Sequence, residues 1–260
     1  ATGRPDTGGR LLSPRTARAT PMSTPTALDS FLDKWRTRWP EWAVAEVFVP
    51  AGTRPRTVAW FALLQEFDDI LNIAGDPLPA DAKLGWWATE LRDWAGHRSR
   101  HPLGRLLEPV PAPWAQLSAA LNGLVAARAR PANGEAALLA LHAYAVAVAA
   151  VDDAMFPGGR PLAPEAISTQ VLATRLAEAG IGAVPDAFLA DSGTAAQERA
   201  QRDWAGWLLK AWPRRGGGRQ RRILSALARR RLQAYADGQV PRTAQQPLRI
   251  LWAAWRAARD

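Results

Sequence analysis

Two carboxylates flanked by two amides, in Gln65-Glu66-Phe67-Asp68-Asp69-Ile70-Leu71-Asn72, are the residues of this chain best spaced for chemistry. On an α-helix, positions 65, 68, 69 and 72 share one face. Oxygen ligands on successive turns can hold a magnesium ion, which makes Asp68, Asp69 and Asn72 the candidate metal ligands. Asn72 can ligate through its amide oxygen but adds no charge, so affinity for a divalent cation falls. The plainer alternative is an acidic pair on a solvated helix, and spacing alone does not choose between the two.

Other chemistry is thinly represented. The chain has no cysteine, which removes disulfides, thiol catalysis and cysteine-held metals together. His97 and His101 flank a helix break, with no carboxylate at metal-ligand spacing, and His142 reads as a residue of an apolar helix. No nucleophile elbow, Walker loop or dinucleotide fingerprint occurs. Gly216-Gly217-Gly218-Arg219 lacks the lysine and the preceding strand of a phosphate loop.

The elements that must carry these residues read as helices separated by proline and glycine. Pro25 opens a segment with Leu28, Phe31, Leu32, Trp35 and Trp39 at helical spacing. Helices are expected over 56–74 and 79–95, stopped by Gly75 and Gly96, then over 113–130 and 133–155. Further helices are expected over 164–179, 194–212, 220–237 and 246–259. No alternation long enough for a sheet survives, so the fold class is all-α. Residues 25–260 form one domain, and residues 1–24, rich in Gly, Pro, Thr and Arg without periodicity, are expected to be a disordered extension. The triple glycine at 216–218 is the expected flexible point.

The order of motifs over 59–107 joins the carboxylate helix to Lys83-Leu84-Gly85-Trp86-Trp87-Ala88-Thr89-Glu90-Leu91 and a His101-Pro102-Leu103 start. It resembles the squalene/phytoene synthase family, and the likeness extends over roughly 41–190. The resemblance implies an isoprenoid-synthase-like helical bundle around a central cavity. In that family prenyl diphosphates bind through magnesium held by two aspartate-rich helices. Asp68 and Asp69 match the first; Asn72 stands in place of its last aspartate, and Gln65 where a basic residue is usual. Tyr144, Val148, Ala149 and Met155 match the family's tyrosine helix, which lines the prenyl cavity, so Tyr144 is the expected substrate-binding residue. Asp152 and Asp153 fall where small or apolar residues are usual. The second aspartate-rich helix should lie within 167–189, where only Arg175 and Glu178 are charged ahead of the glycine loop.

Two activities follow as expectations. One is a catalytically degenerate member that binds isoprenoids or other lipids or serves as an assembly factor, as a non-catalytic branch of the family does, with magnesium weakly held or absent. The other is head-to-head condensation of two prenyl diphosphates, with Asp68 and Asp69 holding magnesium.

Charge adds a further expectation. From Pro213 onward 12 arginines face only Asp237 and Asp260, while the first 212 residues sum to −1. Such asymmetry points to an anionic partner, a membrane surface more than nucleic acid, or to arginines that merely decorate solvated faces. Trp252 and Trp255 stand among Arg249, Arg256 and Arg259, a mixture suited to a lipid interface or to a helix docked with its arginines outward. The expected location is the cytoplasm, at a membrane periphery.

Overall fold

The computed structural model describes residues 2, 26–189, 193–239 and 246–259. The extension expected over 1–24 lies, Thr2 apart, outside the described residues. The described chain is helical throughout: α1 (Ala27–Arg38), α2 (Trp42–Ala45), α3 (Arg54–Leu71), α4 (Leu78–Ala95), α5 (Gly104–Leu107), α6 (Trp114–Ala120), α7 (Asn122–Ala126), α8 (Gly134–Met155), α9 (Pro164–Ala179), α10 (Thr194–Ala211), α11 (Arg219–Ala236) and α12 (Pro247–Arg259). Among the described residues there is no strand, only an isolated bridge between Arg160 and Gly217.

Local chemistry sets the ends. Thr26 and Asp29 cap each other at the start of α1, and Asn133 caps α8 by accepting from the Ala136 N–H at 2.8 Å. Pro164 starts α9, and Gly180 ends it in the left-handed region. Two expected helices are corrected. The one over 113–130 divides at Leu121 into α6 and α7. The one over 56–74 runs from Arg54 to Leu71 and stops at Asn72, whose amide turns back to the Asp68 carbonyl.

α3 is the axis of the bundle. Its run Val58-Ala59-Trp60-Phe61-Ala62-Leu63-Leu64 is buried on every side, as expected of a helix apolar all round. α1, α4, α5 and α9 pack around it, α8 lies against α6, α7 and α9, and α11 holds α9, α10 and α12. Trp35, Trp42, Trp60, Trp87, Trp94, Trp114 and Trp204 are fully buried, so most of the indoles are core. The Trp86-Trp87 helix, α4, is likewise held from within. Glu90 is buried, and it accepts from Trp94 Nε1 at 2.9 Å and from the Arg100 and His101 N–H groups at 2.6 and 2.7 Å. Burial raises its pKa, but these bonds outweigh that and hold it below the usual range.

The triple glycine is not an open linker. Gly217 N–H donates to the Arg160 carbonyl at 2.8 Å, and a Cβ on Gly218 would stand 2.4 Å from the Phe156 Cβ. The loop is pressed against the turn that follows α8.

Candidate functional site

The acids of α3 meet lysines from two neighbouring helices. Lys34 of α1 donates to Glu66 at 2.7 Å and to Asp69 at 2.8 Å, and Lys83 of α4 donates to the other Glu66 oxygen at 2.8 Å. Gln65 Nε2 adds a bond to Asp69 Oδ1 at 2.9 Å. Burial raises the pKa of both carboxyls, yet the lysine hydrogen bonds prevail and hold each below its ordinary value. These two carboxylates are ionised and already neutralised.

Asp68 stands apart one residue away. Among the described residues no donor reaches its carboxyl. It faces a small hollow beside Trp35, Trp39, Phe61 and Gln170, with room for about one water molecule. Burial, and then the negative charge of Asp69, pushes its pKa up to about 8. That environment favours the protonated carboxyl.

Asn72 does not join them. Its Nδ2 donates to the Asp68 main-chain carbonyl at 2.8 Å, and it lines a different hollow beside Arg128 and Arg175. Asp68, Asp69 and Asn72 therefore do not converge on one point. Tyr144 is buried within the bundle, its ring edge-on to Phe67 at 6.3 Å, and burial followed by the nearby Asp68 raises its pKa.

An open cleft of about 280 Å³ adjoins the Asp68 hollow and shares Trp39, Gln65 and Gln170 with it. Its floor is α9, which presents Gln170, Thr174 and Glu178 at successive turns; α1 and α11 form its walls. Glu178 is ion-paired with Arg38. Arg175 points away from the cleft and donates to the carbonyls of Leu71 and Arg128 at 3.3 and 2.6 Å, closing the ends of α3 and α7. On the α11 side Arg231 bonds Glu41 at 2.7 Å and lies 3.9 Å over the Trp39 ring. Tyr235 donates its hydroxyl to Gln201 at 2.7 Å.

Behind the hollow lies a pair that motif reading missed. Asp152, fully buried in α8, accepts from Arg221 Nε at 2.7 Å and from Trp60 Nε1 at 2.9 Å, and pairs with a second Arg221 nitrogen. Arg221 in turn lies 4.9 Å over the Phe61 ring and reaches Gln170 at 3.4 Å. The signal available in the sequence was an acid inside an otherwise apolar helix, which demands a buried cation. The cation itself was hidden in an arginine-rich segment.

This donor set does not fit a magnesium ion. Glu66, Asp69 and Glu178 are held by cations, Asn72 is engaged elsewhere, and Asp68 is left without a second unpaired acid beside it. Among the described residues no group of three or more acids and histidines gathers at metal distance.

No protein-family model matches the chain, and no curated protein matches it at a significant level. Its structure is similar to the crystal structure of squalene synthase HpnC from Alicyclobacillus acidocaldarius, at 19% sequence identity over 92% of this chain and 98% of that one, with a TM-score of 0.48. At that identity and score the likeness says nothing about the chemistry of the site.

Proposed function

We propose that this chain is a squalene/phytoene synthase-like protein that binds an isoprenoid or similar lipid tail without condensing prenyl diphosphates. One observation carries the reading: Glu66 and Asp69 of α3 are held by lysines, and Glu178, the acid that lines the cleft, is held by Arg38. Ionising a prenyl diphosphate requires several positive charges on the leaving group, and acids free to hold the cations that supply them. Here the cations that balance the acids are the protein's own side chains. The size of the cleft agrees. At about 280 Å³ it sits just below the ~300–1,000 Å³ of ordinary small-molecule sites, whereas head-to-head condensation needs two prenyl chains in place together. Trp39, Ala173, Ala177, Ala228 and Leu232 give the cleft an apolar side that suits one hydrocarbon tail, and Gln65, Gln170, Thr174, Glu178 and Arg231 border it with polar groups.

The test incubates the purified chain with farnesyl or geranylgeranyl diphosphate and magnesium, and measures farnesol binding by calorimetry in parallel. The expected result is no C30 or C40 product, with farnesol binding unchanged by magnesium or by a chelator. A condensed product that disappears on Asp68→Ala would overturn the proposal. So would farnesol failing to bind.

A further inference from the structure

The last helix is docked and still leaves an apolar face outside. Ile250 and Ala254 are buried against the body, and Arg222 of α11 holds the carbonyls of Ala257 and Ala258 at 2.9 and 3.3 Å. On the opposite side Leu248 is 79% exposed, Leu251 38%, Trp252 59% and Trp255 42%. These four lie at i, i+3, i+4 and i+7, one continuous stripe along α12. A single exposed leucine is ordinary; a stripe with two indoles marks a surface that meets something apolar.

What it meets is set by the charge beside it. Between α11, α12 and the loop at 213–216 runs a groove of about 600 Å³. Arg214, Arg215, Arg229 and Arg256 line it, together with Trp252, and no acid is among its lining residues. Among the described residues, the exposed Arg214 and Arg215 bond no carboxylate, and Arg256 rests on the Trp252 ring at 5.6 Å. Burial, and then the charge of Arg214, pushes the Arg229 guanidinium below its ordinary pKa, so the groove's cations crowd one another.

Guanidinium groups without carboxylates, next to exposed indoles and leucines, match the layered chemistry of an anionic bilayer: phosphates outside, hydrocarbon beneath. We infer that the α12 face and the adjoining arginine groove form a docking surface for an anionic phospholipid membrane. A second copy of the chain fits less well, because a two-fold contact would set the same arginines against each other. Nucleic acid would take the arginines but gives the exposed leucines no apolar surface. This surface lies on a different face of α11 from the cleft, and the inference does not depend on what the cleft binds.

Flotation of the full chain with phosphatidylcholine vesicles, with and without phosphatidylglycerol, tests it. Binding is expected only with phosphatidylglycerol and should weaken as salt rises. The Arg214→Ala, Arg215→Ala, Arg256→Ala variant is expected to bind roughly 100-fold less, from about 1 kcal/mol per surface cation. Trp252→Ser with Trp255→Ser should remove the binding that persists at high salt. All these positions are exposed, and unchanged melting curves certify the fold. Equal recovery with neutral and anionic vesicles overturns the inference, as does undiminished binding by the arginine variant. A soluble dimer abolished by the tryptophan changes, or duplex DNA displacing the vesicles, overturns it in favour of those partners.

Discussion

Along α3, Glu66 and Asp69 are met by lysines from α1 and α4, and the remaining acid, Asp68, sits where burial favours its protonated form. Along the groove between α11 and α12, Arg214, Arg215, Arg229 and Arg256 gather, and no acid is among the described residues that line it. Both regions are dense in charge, yet only the second has charge left over. Balanced charge in a partly buried setting fixes helices relative to one another. Unbalanced charge at a surface persists because water and salt screen it until an anion arrives. The motifs point to α3 as the place of chemistry, whereas the unbalanced charge lies along α11 and α12.

The interior pairs are expected to be indispensable. Arg221→Met leaves Asp152 buried and unpaired, and should cost ~3–5 kcal/mol in urea unfolding. Replacing both, with Asp152→Leu and Arg221→Met, should recover most of that loss, since a buried pair is often matched by apolar side chains of similar volume. A single-variant cost below ~1 kcal/mol would show that this charge is not structural.

Asp68 offers a test of intermediate size. Its pKa is about 8 in the folded chain against an ordinary 3.8, so the folded state holds a proton that the unfolded state releases. Stability therefore falls as pH rises from about 4 to about 8 and levels off above that, by on the order of a few kcal/mol in total. Asp68→Asn should flatten this slope and raise the melting temperature at pH 8, with little effect near pH 4. A variant whose melting tracks the parent across that range would contradict the burial of a protonated acid. The smallest effect belongs to the groove: Arg214→Ala and Arg215→Ala should each move stability by less than ~0.5 kcal/mol. A larger loss would mean that these arginines are structural after all.

The helices were legible because proline and glycine punctuate them. Pro164 and Gly180 bound α9 as expected, and Asn133 and Phe156 bound α8. The break at Leu121 was not, since neither proline nor a capping side chain marks it and the turn arises from packing. The candidate site was half legible. Asp68, Asp69 and Asn72 lie together at the end of α3, but Asp69 is met by a lysine 35 residues away and Asn72 turns to the helix's own main chain, and spacing does not report tertiary pairing. The arginine count misled in a similar way. Arg221 is buried and Arg231 is bound to Glu41, so part of the basic C-terminal charge is used inside the fold.

Gly216, Gly217 and Gly218 have a practical consequence. A run of three glycines invites use as an insertion point for a tag or as a site to cut the chain. Here, however, a Cβ on Gly216 would lie 2.9 Å from the Pro161 carbonyl oxygen, and one on Gly218 would overlap Phe156. The missing side chains let two corners of the bundle, one after α8 and one before α11, touch backbone to backbone. They act as a clasp. A protease that seeks slack loops should pass this one by, and a peptide inserted there would prise the two corners apart.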